Sequence, residues 1–312
     1  MTQGKSLKLI IVVILLLAFV VGCSGRTTPI SQTSVATVTS VPPTKTPVPT
    51  ATSIPPTNTP TLTATPEPSA KILFVGDSFT YWNNGLDQHI EQLAGSANPP
   101  LVIQADAAVM RSGSLEKMWK NSDTSEVIRT GGYDVVVLQD WFQSTDVDTF
   151  HEYVRKFDAE IRATGAKTVL FMEWPVSYLE LTIGEIAQAH HDIAAEIGAD
   201  VAPVGLAWQQ AIDERPELTL AGPDGIHPSI HGTYLATNVV YVTIFGQSPN
   251  STAYLPAAPS HDCTTEEEDK EAHDPALDAY FAGRVSGCVT EEEAAFLQRI
   301  AWETVQAYRA QP

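Results

Sequence analysis

From residue 70 onward the chain predicts an α/β domain with a mostly parallel, five-stranded sheet covered on both faces. Three observations predict it. Short apolar runs recur at 72–75, 101–103, 135–138, 168–172 and, more weakly, 200–204. Stretches with helical spacing of apolar residues lie between them. The connections are short, and strand–helix alternation of that kind builds parallel sheets with helices on both sides. The 243 residues from Ala70 to Pro312 suit one such domain with a sizeable core.

The elements follow in order. The first run ends in Gly76-Asp77-Ser78, and helical spacing resumes over 85–94. A single helix is expected over 114–129, without a capping box, because Lys117 stands three residues after Ser114. After the third run Asp148 precedes "TFHEYVRKFDAEI", which places apolar residues at helical spacing over 148–163. Further helices are expected over 183–197 and 206–213. "SIHGTYLATNVVYVTIFG", after Pro228, reads as a helix packed on the sheet. A last amphipathic helix runs from about 290 to 308, with Ala295, Leu297, Ile300, Ala301 and Val305 as its apolar stripe. His190-His191 and His231 read as solvated helix positions.

The first 69 residues have a different character. Lys5 and Lys8 precede 13 unbroken apolar residues from Leu9 to Val21. That run is short for a membrane span, which needs about 20 residues, and long enough for a signal peptide. It ends in Val20-Val21-Gly22-Cys23, which resembles a bacterial lipobox. Residues 1–23 are therefore expected to be a lipoprotein signal with Cys23 as the lipidated residue, an uncleaved anchor being the alternative. Residues 27–69 hold 14 Thr and 10 Pro. So little apolar surface cannot offset ordering entropy, so 24–69 is expected to be an extended linker, holding an extracytoplasmic, membrane-anchored domain off the cell surface.

Net charge over the whole chain is −19, and all but five of its charged residues follow residue 69. An acidic surface of that kind excludes nucleic acid and anionic lipid as partners. Cys263 and Cys288 lie in an acidic, Cys-containing insertion at about 250–289, and in an oxidising compartment a disulfide between them is expected. His261, Asp262 and His273 near Cys263 fit no zinc spacing, so no metal or other cofactor is expected.

In an open α/β sheet, ligands bind beyond the carboxyl ends of the strands. Ser78 stands at such an end. So do Gln139-Asp140 and Glu173-Trp174. A serine needs a base, and "GPDGIHPS" offers one, with Asp224 three residues before His227. Gly76-Asp77-Ser78 near the start and Asp224-Gly-Ile-His227-Pro near the end resemble the SGNH, or GDSL, hydrolase superfamily.

That resemblance covers roughly 71–310 and implies a flavodoxin-like, three-layer α/β/α sandwich. It implies Ser78 as nucleophile, His227 as base and Asp224 as its orienting carboxylate. It also implies an oxyanion hole from the Ser78 N–H, the Gly113 N–H and a side-chain amide after the third strand. Gln139 stands where the family usually has asparagine, as in an SGNH-like subgroup in which glutamine is usual. Glu173, Trp141 and Trp174 are weaker candidates for substrate contact. The expected protein is a monomeric serine ester hydrolase, of esterase or carbohydrate-deacetylase type, acting on a small-molecule or polysaccharide ester. The alternative is a non-catalytic module holding a glycan or peptide in the same crevice.

Overall fold

The computed structural model describes residues 69–176, 179–257 and 287–311. The expected signal peptide, Cys23, the Thr/Pro linker up to residue 68, and Cys263 with its expected disulfide to Cys288 lie outside the described residues.

Five parallel strands, β1 (Ala70–Gly76), β2 (Ile103–Val109), β3 (Val135–Leu138), β4 (Lys167–Phe171) and β5 (Asp200–Ala202), form one sheet in the order β2-β1-β3-β4-β5. The chain winds outward one way from β1 to β2 and the other way from β3 to β5. A topological switch point therefore opens between β1 and β3, the place where such sheets bind ligands.

Alternation along each strand sorts the core into two layers. Ile72, Phe74, Val137, Val169 and Phe171 face α2 (Leu86–Gly95), α7 (Val204–Glu214), α8 (Ile230–Phe245) and α9 (Glu291–Arg309). Leu73, Val75, Val136, Leu138 and Leu170 face α3 (Leu115–Asn121), α4 (Thr124–Gly131), α5 (Val147–Ala163) and α6 (Ile183–Ile197). The short α1 (Ser78–Tyr81) follows β1 directly.

Two expected elements differ. β2 starts where the apolar run at 101–103 ends, because this edge strand is half-exposed and built from "IQADAAV", without a continuous apolar signal. The single helix expected over 114–129 is two: Ser122 leaves α3 in an extended conformation (φ −137°, ψ 173°), and its hydroxyl bonds the Met118 carbonyl. Two of the three histidines expected at the surface are also inside, while His191 is half-exposed. His190 is buried with Nδ1 on the Ile186 carbonyl (2.8 Å), and burial lowers its pKa to about 4. His231 is buried between α8 and α9, with Nε2 3.2 Å from Glu293 Oε2. A single antiparallel bridge joins Ala257 to Cys288, just before α9. That helix opens with a reciprocal capping box between Thr290 and Glu293.

Candidate active site

The serine turn is held from a distance. Asp77 caps α1 by accepting the Phe79 N–H (2.9 Å). The Asp77 N–H donates to Gln139 Oε1 (2.7 Å), as does the Thr80 hydroxyl (3.1 Å), and Gln139 Nε2 donates to the Asp140 carbonyl (2.9 Å). A Cβ on Gly76 would collide with Thr80 Oγ1 and Gln139 Oε1, so only glycine fits at the end of β1. Ser78 is thereby fixed at the first position of α1, where its N–H has no intrahelical acceptor.

The histidine loop holds itself. Asp224 Oδ1 accepts the N–H groups of Ile226 (2.9 Å) and His227 (3.0 Å). Gly225 supplies the positive φ of +68° that the turn needs, and the Gly222 N–H closes the loop on the His227 carbonyl (2.7 Å). Asp224 Oδ2 lies 2.6 Å from His227 Nδ1, and His227 Nε2 lies 2.9 Å from Ser78 Oγ. A carboxylate only accepts, so Nδ1 carries the proton and Nε2 is left to accept from Ser78. Burial pushes the Asp224 pKa up, but the hydrogen bonds from His227 and Ile226 outweigh it and hold it below the usual range.

Two residues join the segments. Asn83 Nδ2 donates to the Pro228 carbonyl (3.0 Å) and to Thr233 Oγ1 (2.8 Å), bracing the chain after Ser78 against the chain after His227. Trp82 stacks on the His227 ring, with centroids 3.9 Å apart and planes 14° from parallel. Phe79 meets the same ring edge-on at 6.2 Å.

The strand order β2-β1-β3-β4-β5, Ser78 at the switch point and the Asp224–His227 loop just ahead of α8 share one frame. The fold is a flavodoxin-like, three-layer α/β/α sandwich. A DUF4886 family protein from Bacteroides uniformis is similar over 78% of this chain and 96% of its own, at 13% identity and a TM-score of 0.56. A protein assigned as an SGNH hydrolase from Slackia heliotrinireducens is 22% identical over 56% of this chain and 98% of its own, with a TM-score of 0.48. An acetyl-xylooligosaccharide esterase mutant from Geobacillus stearmophilus is 15% identical over 57% of this chain and 95% of its own, with a TM-score of 0.49. No protein-family model and no curated relative matches the chain. Likeness at these identities concerns the fold, and the chemistry has to be read from the residues.

Several residues expected at the SGNH site lie elsewhere. Gln139 is fully buried, and its amide is spent on Asp77, Thr80 and Asp140, so it is a clamp beneath the serine and not an oxyanion donor. Gly113 sits in the loop after β2 as expected, but its N–H is donated to the Met110 carbonyl (3.0 Å). Trp174 is a core residue stacked between Phe79 (4.5 Å) and Trp208 (4.1 Å), with its Nε1–H on the Ile226 carbonyl (3.1 Å). It supports the histidine loop from behind and offers no surface to a substrate. Glu173 is fully buried and accepts from the Gln143 N–H (3.2 Å) and Nε2 (2.9 Å).

Trp141 does line the crevice, a cavity of 290 Å³ whose wall includes Ser78, Tyr81, Trp82, Arg111 and His227. Trp82, which the sequence offered beside Trp141 as an aromatic near a strand end, lines it too, whereas Arg111 is a contact that sequence reading left unassigned. Its place two residues before Gly113 was the available signal. Ser112 also faces the cavity and holds a left-handed backbone at φ +50°.

Beneath the site lie three buried carboxyl groups. Burial raises Asp77 to about 6, raises Asp140 to about 7, and drives Glu173 well above the usual range. Repulsion adds to burial, Asp77 lifting Asp140 and both lifting Glu173. Among the described residues no group of three His, Cys, Asp or Glu is placed to hold a metal ion.

Proposed function

We propose that the chain is an extracytoplasmic serine ester hydrolase. One observation carries the reading: Ser78 Oγ, His227 and Asp224 are linked by contacts of 2.9 and 2.6 Å at the wall of an open cavity. The SGNH-type fold supports it. Ser78 Oγ attacks the ester carbonyl carbon while its proton passes to His227 Nε2. Collapse of the tetrahedral intermediate breaks the C–O bond, and His227 returns the proton to the departing alcohol. Water then releases the acyl group by the same relay. Asp224 orients the imidazole and offsets its transient positive charge. Trp82, stacked on that ring, favours the imidazolium by cation–π attraction.

With Gln139 and Gly113 committed elsewhere, the oxyanion falls to the Ser78 N–H and to the N–H of Ser112 in the facing loop. A cavity of 290 Å³ suits short acyl groups better than long ones. The Gly22-Cys23 ending and the Thr/Pro tract support a lipid-anchored enzyme on a stalk. Replacing Cys23 by serine should then release the protein or leave it unprocessed.

A fluorophosphonate probe tests the chemistry, since it labels only an activated serine. The expected result is stoichiometric labelling, lost in Ser78→Ala, together with turnover of p-nitrophenyl acetate ahead of longer chains. Absence of both would favour a non-catalytic module in the same crevice.

A further inference from the structure

The chain is strongly acidic, and its few cations are mostly spoken for. Of the twelve Lys and Arg among the described residues, all but Arg111, Lys117, Lys167 and Arg309 stand in ion pairs. Arg309 is bonded to the Thr243 carbonyl (2.6 Å), and Lys167 is exposed at the start of β4, the end of the sheet away from Ser78. Arg111 stands on the loop after β2, and Lys117 in the first turn of α3 that follows it. Arg111 is exposed, lines the cavity, and makes no ion pair or hydrogen bond among the described residues. Lys117 is exposed, and its Nζ reaches back to the Ser112 carbonyl (3.0 Å).

Charged side chains in an acidic protein pair by default, since carboxylates are abundant and close. Eight cations here follow that rule, and the guanidinium beside the serine does not. Within the cavity wall the one acidic residue is Asp77, whose carboxyl is buried and turned to the Phe79 N–H. The surrounding negative field would repel an anionic molecule from every other approach. A planar guanidinium fork is the side chain best shaped to take a carboxylate in two parallel hydrogen bonds.

We infer that Arg111, aided by the charge of Lys117, forms an anion subsite beside Ser78 and selects esters that carry a carboxylate near the scissile bond. An acylated acidic sugar has that chemistry, and Trp82 and Trp141 would flank its ring. The inference rests on the serine hydrolase reading for its placement and deepens it by naming the substrate class.

The test compares 4-acetoxybenzoate with its methyl ester, two aryl acetates that differ in one negative charge. Wild-type protein should show a kcat/KM ratio favouring the anion by about tenfold at low salt, a typical value for one charge-assisted contact at a partly open site. The ratio should shrink at 0.5 M NaCl, where screening reaches about a few ångströms. Arg111→Ala should bring it to about one, Arg111→Lys should restore part of it, and Lys117→Ala should lower it less. Lys167→Ala, which removes a charge far from the cavity, should leave it unchanged.

A second readout needs no turnover. Calorimetric binding of 4-acetamidobenzoate and its methyl ester should show the same preference and the same loss in Arg111→Ala. If the anion preference is absent, or survives in Arg111→Ala, the subsite is refuted while fluorophosphonate labelling still upholds the hydrolase. If labelling and turnover fail but carboxylate binding persists and depends on Arg111, the hydrolase reading falls and the subsite stands.

Discussion

The serine and the histidine reach the same 2.9 Å contact by opposite means. His227 is placed mainly from its own loop: the bonds to its N–H, its carbonyl and Nδ1 come from Asp224 and Gly222, with Trp82 stacked on the ring and Trp174 on the Ile226 carbonyl as support from outside. Ser78 is placed by Gln139, some sixty residues away, which holds the Asp77 N–H and the Thr80 hydroxyl from inside the core. One half of the site is a local turn exposed to solvent, and the other is a tertiary clamp. Damage to the first should therefore register in catalysis with little change in stability. Damage to the second should register in both.

The largest effects test the relay that joins the halves. Ser78→Ala or His227→Ala should each remove about 10⁶-fold in kcat, because the residues act as a unit. Asp224→Asn should cost about 10³–10⁴-fold by favouring the wrong imidazole tautomer, with the denaturant midpoint almost unmoved. A large loss of stability in that variant would show that the loop is not self-supporting.

The clamp side should show itself in pH. The Asp140 pKa, raised to about 7 by burial, makes the folded state hold its proton longer than the unfolded chain does. That stabilisation is complete below about pH 4 and is lost as pH rises through about 7, a change of order 4 kcal/mol. Asp77, raised to about 6, adds a loss of the same sign. Asp224, held below the usual range, does not titrate in that window. Urea unfolding at pH 4.5 and 7.5 should show the wild type weaker at the higher pH. Asp140→Asn should flatten that difference, and an unchanged slope would remove Asp140 as its source.

Gln139→Ala separates clamp from oxyanion donor. As a clamp it should lower stability by about 3 kcal/mol, since two buried donors lose their acceptor and a cavity opens. A donor would instead leave stability alone and lower kcat about 10²–10³-fold. The smallest expected effect is at the junction. Trp82→Ala should lower kcat about tenfold by removing the ring stacked on the imidazole, with little change in KM.

The same contrast explains what the sequence could be made to say. The Asp224–His227 pairing was legible because its bonds span three residues, and the parallel sheet because strand and helix alternate with clear apolar runs. Ser78 was legible as a position but its support was not. Nothing in "VVLQDW" tells whether the glutamine amide faces the crevice or the core, since that depends on how closely β1 and β3 pack behind Gly76. Trp174 misled for a related reason: a tryptophan at a strand end has two sides to choose from, and here Phe79 and Trp208 fill the inner one. β2 was misplaced because an edge strand of small and polar residues carries little apolar periodicity.

The bridge between Ala257 and Cys288 has an engineering consequence. Chain that leaves the domain at one of these residues returns at the other, so the 30 residues between them enter and exit through a single port. A four-residue turn spliced across that port would contribute about 2 kcal/mol in loop-closure entropy, against which stands the loss of the expected Cys263–Cys288 disulfide, worth about 3 kcal/mol. A longer foreign module could be mounted there instead, at a cost that grows only with the logarithm of its length. The port adjoins the capped start of α9 and touches neither Ser78 nor His227, so cargo can be mounted there without replacing either residue.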